Sequence, residues 1–452
     1  MSAWTRFAAG VVFPLHERAK GHSTLRRLRE LEQSQWWSRE RIEAIRVERL
    51  RTLLEHAKAH VPYYRDLFAK SSFEPGSVGS VDDLRRVPFL SKALIRANVD
   101  ALKADGGRTL KRYNTGGSSG EPLVFYMGKD RVSHDVAAKW RATRWWGVDI
   151  GDPEIVVWGS PIELGAQDRL RAIRDRLLRT RLLPAFEMTE AKLDAFVASI
   201  RATRPRMIFG YPSALAHIAR HARQRRQRLD DLGIVVAFVT SERLYDHQRH
   251  EIAAAFGCKV ANGYGGRDAG FVAHECPQGG MHVSAEDIVV EIVDTDGNPL
   301  PEGEAGEIVV THLATRDFPF IRYRVGDIGV LGSASCPCGR GLPLLSDVQG
   351  RSTDFVVARD GTVMHGLALI YVMRDLPQVA SFKIVQESRE HLRVLVVPSE
   401  PLTSSVRAAI RDGLCARLGH DVTVDIEETS EIPAERSGKF RYVVSKVDSA
   451  TQ

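Results

Sequence analysis

From about residue 110 to 330, short β-branched runs alternate with helical segments, and this alternation narrows the possible fold more than any other feature of the chain. The runs are Ile155-Val156-Val157-Trp158, Met207-Ile208-Phe209 and Ile234 to Val239, and each ends in a small or polar turn. Strands alternating with helices predict a mainly parallel, helix-covered sheet. In such sheets ligands collect beyond the carboxyl ends of the strands. From about 284 to 330 strands dominate. Ile288 to Val293, a turn over Asp294 to Pro299, and Glu307 to Thr311 predict a hairpin-rich part.

The flanks read differently. Residues 24 to 60 carry helical periodicity without Gly or Pro, and Leu50, Leu53, Leu54 and Ala57 keep one face apolar. After Gly350, strand-like Phe355-Val356-Val357, His391 to Val397 and Val422 to Ile426 alternate with helical Leu367 to Arg374 and Ser404 to Leu418. The expected organisation is an N-terminal helical arm (1–65), a large α/β domain of layered sheets and helices (66–350), and a small α+β C-terminal lid domain (351–452). A length of 452 residues fits two or three such units.

Composition excludes several classes. No stretch approaches the roughly 18 consecutive apolar residues that span a bilayer. Met1 to Val12 lacks a basic leader with a small-residue cleavage site and does not read as a secretory signal. Five cysteines, Cys258, Cys276, Cys336, Cys338 and Cys415, are unevenly spaced and odd in number. A cytoplasmic location with free or metal-bound thiols suits them better than a disulfide framework. Net charge is +6, with arginine concentrated in Arg26 to Arg51, Arg169 to Arg181 and Arg220 to Arg228. Solvated helix faces explain such runs, and peripheral contact with an anionic membrane surface, or contact with nucleic acid, is the sharper reading. No aromatic-basic module points to nucleic acid.

Four stretches could carry chemistry. In Thr115-Gly116-Gly117-Ser118-Ser119-Gly120-Glu121-Pro122 the glycines let amide N–H groups turn inward, and the hydroxyls add donors, as a phosphate cradle requires. No Gly-Lys-Ser/Thr closes it, so it is not a Walker loop, and a plain surface loop would look similar. Gly263 to Asp268 offers the Tyr264 ring to a purine base and the Asp268 carboxylate to magnesium, or is a simple glycine turn. Asp327, after Tyr323 to Gly326, could accept hydrogen bonds from ribose hydroxyls or cap a turn. Lys439, after Ser437-Gly438, could meet developing charge on a transferring group or sit on the surface.

In order and spacing these stretches resemble the adenylate-forming superfamily, over about residues 50 to 446. The resemblance makes Thr115 to Pro122 the phosphate loop, and Asn262 and Tyr264 to Asp268 the adenine and magnesium motif. It makes Ser241-Glu242-Arg243-Leu244 the segment flooring the adenine. Asp327 becomes the ribose-binding acid, Gly350 to Asp354 the hinge segment with Arg351 at the nucleotide and Asp354 as pivot, and Lys439 the adenylation lysine. His56-Ala57 to Arg65, Phe209 to Leu215 and Cys336-Pro337-Cys338-Gly339-Arg340 are similar to the phenylacetate–CoA ligase group, especially its CapK-like branch. Three positions depart from the common pattern: Glu121 where many relatives carry lysine, Arg267 for Ser or Thr, and Asp268 for Glu.

Cys336-x-Cys338 and Cys276 with His282 offer four soft ligands on two turns, as a closed zinc site needs, with His274 as a substitute for His282. The resembling group has similar Cys/His positions. Free thiols close together by accident are the plain alternative. The resemblance implies that ATP and Mg2+ activate a small carboxylic acid, which passes to CoA. The acceptor is otherwise an amine or hydroxyl in capsule or exopolysaccharide biosynthesis, and a non-catalytic protein retaining the fold is the remaining reading. The acid would lie near Trp158, Phe209, Tyr211 and Tyr264, and a homodimer suits the group.

Overall fold

The computed structural model describes residues 2–106, 110–115, 123–158, 169–185, 188–294, 296–348, 355–432 and 442–447. An eleven-stranded sheet organises the larger part. Five of its strands are parallel, in the order Lys259–Gly266, Val236–Thr240, Met207–Gly210, Glu154–Trp158 and Thr180–Pro184. The alternation of side chains across the pleat sorts their residues onto two faces. Ile155, Val157, Ile208, Ala237 and Val239 meet the helices Glu190–Thr203, Pro212–Gln224 and Asp246–Phe256. Val156, Met207, Phe209, Val236 and Phe238 face the other way, towards Ala142 and Trp146 at the end of the helix Lys129–Trp145. Both faces are covered, which is why Glu154–Trp158, Met207–Gly210 and Val236–Thr240 read as nearly continuous apolar runs.

Beyond Lys259–Gly266 the sheet becomes antiparallel, through Gly270–Glu275, Met281–Val283, Leu344–Val348, Tyr323–Gly332, Ala305–His312 and Ile288–Val293. The expected hairpin forms between Ile288–Val293 and Ala305–His312. Its connection is longer than the predicted turn, because Pro299 bridges back to Val293 before the return strand begins.

The N-terminal periodicity is broken where the sequence suggested one run. Thr24–Ser34 and Arg39–His60 are separate helices, and the Ser38 hydroxyl caps the second by accepting from the Arg41 amide at 3.4 Å. Pro62 opens a further helix, Pro62–Ser71. Leu50, Leu53, Leu54 and Ala57 are fully buried in the same apolar cluster as Ile288, Val310 and Tyr323 of the antiparallel strands.

The C-terminal residues have a core of their own. A four-stranded sheet in the order Thr423–Glu428, His391–Pro398, Val379–Ser388 and Val443–Ser445 packs with the helices Leu367–Arg374 and Ser404–Leu418. Among the described residues no helix is long and apolar enough to cross a membrane.

Candidate active site

The register across the parallel strands runs Val157, Gly210, Val239, Asn262. One residue further on, Trp158, Tyr211, Thr240 and Gly263 form the carboxyl rim of the sheet. The rings of Trp158 and Tyr211 stack there with centroids 4.4 Å apart, both half-buried. Phe209, one residue back, is buried and stacks on Phe238, so it floors this rim from inside the core. Ser241 follows Thr240 in the left-handed region, with φ +73°, a conformation that costs free energy outside glycine and gathers at functional sites. Next to it, Glu242 accepts from the Ser213 amide at the start of the neighbouring helix, at 3.4 Å.

Tyr264 lies where the pairing of Lys259–Gly266 with Gly270–Glu275 shifts register, a distortion that re-aims side chains. A side chain on Gly265 would put its Cβ 2.1 Å from the Gly270 carbonyl oxygen, so only glycine allows this bulge. The Tyr264 hydroxyl donates to Asp327 at 3.0 Å. Asp327 is itself in an irregularity, where Val325, Gly326 and Asp327 stand opposite the single residue Ile308. Asn262, Tyr264 and Asp327 are half-buried side by side.

Asp268 is buried at this edge. The Tyr323 hydroxyl donates to its Oδ2 at 2.6 Å and the Ala269 amide to its Oδ1 at 3.1 Å. The guanidinium of the adjacent Arg267 acts on its charge, and a carboxylate oxygen is the kind of ligand that magnesium takes. Arg267 turns its guanidinium to the Asn114 carbonyl, at 3.0 Å. Asn114 ends the strand Lys111–Asn114, and Thr115 and Leu123 then close the neck of the predicted phosphate loop by exchanging hydrogen bonds of 3.0 and 2.9 Å. The departure at Arg267 therefore ties the root of that loop to the Tyr264–Asp268 segment. Gly116, Gly117, Ser118, Ser119, Gly120 and Glu121 of the loop lie outside the described residues, as do Arg351, Asp354 and Lys439.

Behind Asp268 runs a buried ionic network that sequence reasoning missed. Arg131 donates to the Asp268 carbonyl at 3.1 Å and to the Asp135 carboxylate at 2.9 Å. Asp135 also faces His134 and His312, at 3.4 and 3.5 Å, and His134 lies 3.5 Å from Asp287, which pairs with Arg49 at 2.7 Å. Burial pushes the Asp135 carboxyl up, but Arg131 and the two imidazoles outweigh it and hold it well below the usual carboxylate range. Burial, with Arg131, drives His312 down to about 3. Arg131 already compensates Asp135, so this cluster reads as a brace for the Asp268 backbone. Arg131, His134 and Asp135 stand at helical spacings on one face of Lys129–Trp145, the only trace of the network in the sequence.

The soft-ligand cluster also comes together. The ligand atoms of Cys276, His282, Cys336 and Cys338 all lie within 4.8 Å of one another. The Cys276 and Cys336 sulfurs are 3.6 Å apart, and Cys338 Sγ is 3.2 Å from His282 Nε2. A tetrahedral zinc ion with thiolate and imidazole ligands separates its ligand atoms by about 3.5–3.8 Å. The other His282 nitrogen, Nδ1, faces the Leu342 carbonyl at 3.3 Å, which orients the ring for ligation. A Cβ on Gly280 would sit 2.6 Å from Cys336 Sγ, so glycine leaves room for the cluster. Burial pushes the Cys276 thiol up to about 11 and lowers His282 to about 4, which keeps the imidazole neutral. His274 is not a member. Its ring is buried, stacked on Phe271 at 5.5 Å.

A family model of AMP-binding enzymes matches residues 155–314, and a CapK C-terminal domain model matches residues 356–446. A phenylacetate–coenzyme A ligase of Thermus thermophilus is 26% identical over 438 residues, 90% of this chain and 97% of its own. Protein CapK of Staphylococcus aureus is 23% identical over 411 residues, 88% of each chain. Among solved structures, 2-hydroxyisobutyryl-CoA ligase in complex with 2-HIB-AMP and CoA superposes with a TM-score of 0.67 at 23% identity, covering 91% of each chain, and so shares the fold. The two matched stretches are those of adenylate-forming enzymes. Over most of its length the chain is similar to phenylacetate–CoA ligase and CapK-like proteins.

Proposed function

We propose that the chain joins a small carboxylic acid to AMP at the expense of ATP and passes the acyl group to the thiol of CoA. One observation carries the site assignment. Arg267 on the Asn114 carbonyl and Tyr264 on Asp327 draw the root of the glycine-rich loop, the rim of the parallel strands and an acid from a distant strand into one place. A nucleotide needs these together: Tyr264 lies against the base, Asp327 accepts from the ribose hydroxyls, and the amides of residues 116–120 hold the phosphates. Ser241 and Glu242 floor the base, and Trp158 and Tyr211 line the path of the acid. Asp268 would hold magnesium, which lowers the charge of the phosphates when bound. Lys439 is assigned the ammonium that bridges the attacking carboxylate and the α-phosphate, and Arg351 with Asp354 the hinge. Catalysis of this kind rests on positioning and charge more than on proton transfer.

The acceptor has a second reading. The match of residues 356–446 to a CapK C-terminal domain, the unit expected to present the acceptor, favours an amine or hydroxyl on a sugar in polysaccharide biosynthesis. We further assign Cys276, His282, Cys336 and Cys338 to a structural zinc ion.

ATP–pyrophosphate exchange against a panel of aryl, fatty and sugar acids tests the first half-reaction independently of the acceptor. Exchange is expected with one class of acid, and Lys439→Ala is expected to lower it by roughly 100-fold or more with the fold intact. Unchanged exchange in that variant removes Lys439 from its role, and exchange with no acid at all removes the activity.

A further inference from the structure

Residues Ala3 to Lys20 form a helix that is apolar on both sides. It runs through Ala3–Phe7, a π-helical turn at Ala8–Val12, and Phe13–Lys20. One side is fixed to the body of the protein. Thr5 donates to Asp152 at 2.8 Å, Ala8 fits against Gly151 where any Cβ would come within 2.4 Å, and the Phe13 ring meets Trp140 edge-on. The other side carries Trp4, Phe7, Val11 and Leu15 into solvent, with Leu15 62% exposed. The wider π turn keeps these four on one stripe, since it advances the chain by more than four residues per turn between Phe7 and Leu15.

The stripe continues onto a second element. The Trp4 indole donates to the Leu177 carbonyl at 3.1 Å, which sets the helix Arg169–Leu177 alongside, with Ile173 and Leu177 exposed. Six of the nine large apolar side chains exposed among the described residues therefore belong to these two helices. A patch so concentrated marks an interaction surface. Its rim is basic: Arg6, Arg18 and Lys20 from one helix and Arg176 and Arg179 from the other are exposed. Of the acids nearby, Glu17 is buried, where it accepts from Thr24 and faces His22, and Asp175 pairs with Arg174.

We infer that this face docks the protein on an anionic lipid surface. An apolar stripe with tryptophan and phenylalanine, flanked by arginine and lysine and lying along a helix about 27 Å long, is what an in-plane interfacial helix requires. The charge decides between a bilayer and a second copy of the chain. Two copies meeting face to face would oppose the same arginines on molecules that each carry a net charge of +6, whereas phosphate headgroups complement them.

Flotation of the full chain with phosphatidylcholine vesicles and with vesicles containing phosphatidylglycerol tests the inference. Recovery is expected only with the anionic vesicles and is expected to fall about tenfold at high salt. The double variant Phe7→Glu with Leu15→Glu is expected to lose vesicle binding while pyrophosphate exchange in solution is unchanged. Brominated lipid should quench wild-type emission by an amount that Trp4→Phe removes, a readout that stands even if the double variant folds poorly. No flotation with anionic vesicles overturns the inference. So does a sedimentation shift from dimer to monomer in the double variant without any loss of vesicle binding, which would make the face an interface between copies.

Discussion

The surroundings of Asp268 and the thiolate–imidazole cluster are built alike and prepared for opposite ends. Each joins turns 55 to 60 residues apart, Asp268 with Tyr323 and Cys276 with Cys336, across the antiparallel side of the sheet. The cluster is closed: four ligand atoms face one another and nothing else is needed to complete it. Asp268 stands at an open rim, held by the Tyr323 hydroxyl and with the Arg267 guanidinium acting on its charge, on the same segment as Tyr264, which bonds Asp327. A closed set of ligands stabilises a fold, while a carboxylate beside an open rim can still accept a ligand.

That contrast can be broken by single substitutions. Asp268→Asn keeps the shape and removes the charge, and is expected to lower acyl-adenylate formation by roughly 100- to 1,000-fold with little change in Tm. An equal loss of stability would make Asp268 a structural residue. Cys338→Ser should do the reverse, dropping bound zinc from about one equivalent to none and lowering Tm by roughly 10 °C, with pyrophosphate exchange at low temperature retained. Metal analysis together with a melting curve checks both halves of that statement.

The smallest effect is on pH. Burial holds His217 near 4 and His274 and His312 near 3, below the ordinary value of 6.5. Between about pH 6.5 and these values the unfolded chain binds protons that the folded chain refuses, so stability is complete above pH 6.5 and falls as the solution is acidified. The slope is at most about 1.4 kcal/mol per pH unit for each histidine. His312→Gln should flatten the decline of Tm between pH 7 and 5, and an unchanged slope would mean that His312 does not stay neutral in the fold.

The same two regions show what a sequence can reveal. Cysteine and histidine are scarce and chemically distinct, so Cys276, His282, Cys336 and Cys338 could be paired before any coordinates, although choosing His282 over His274 needed the packing that sets one ring beside Cys338 and stacks the other on Phe271. The central parallel strands Glu154–Trp158, Met207–Gly210 and Val236–Thr240 were legible because burial on both faces leaves them almost continuously apolar, whereas Thr180–Pro184, an edge strand carrying Arg181, was hidden at the end of an arginine-rich stretch read as helix. The brace behind Asp268 was not legible, because Arg131, Asp135 and Tyr323 are ordinary residues whose meaning comes from partners far along the chain, 55 positions for Tyr323 and 137 for Arg131 on Asp268. The break between Thr24–Ser34 and Arg39–His60 was hidden for a related reason. Trp36 and Trp37 continue the apolar content while the chain turns, and Gly341 and Arg340 meet that turn from far along the sequence.

This rim is proposed to activate a carboxylic acid for transfer to CoA. Incubating the purified chain with ATP, magnesium, CoA and the acid that supports exchange, and counting AMP and acyl-CoA together, tests it most directly. Equal amounts of AMP and acyl-CoA, both abolished by Asp268→Asn, are the predicted result. AMP release that ignores CoA, or no AMP from any acid, would contradict it.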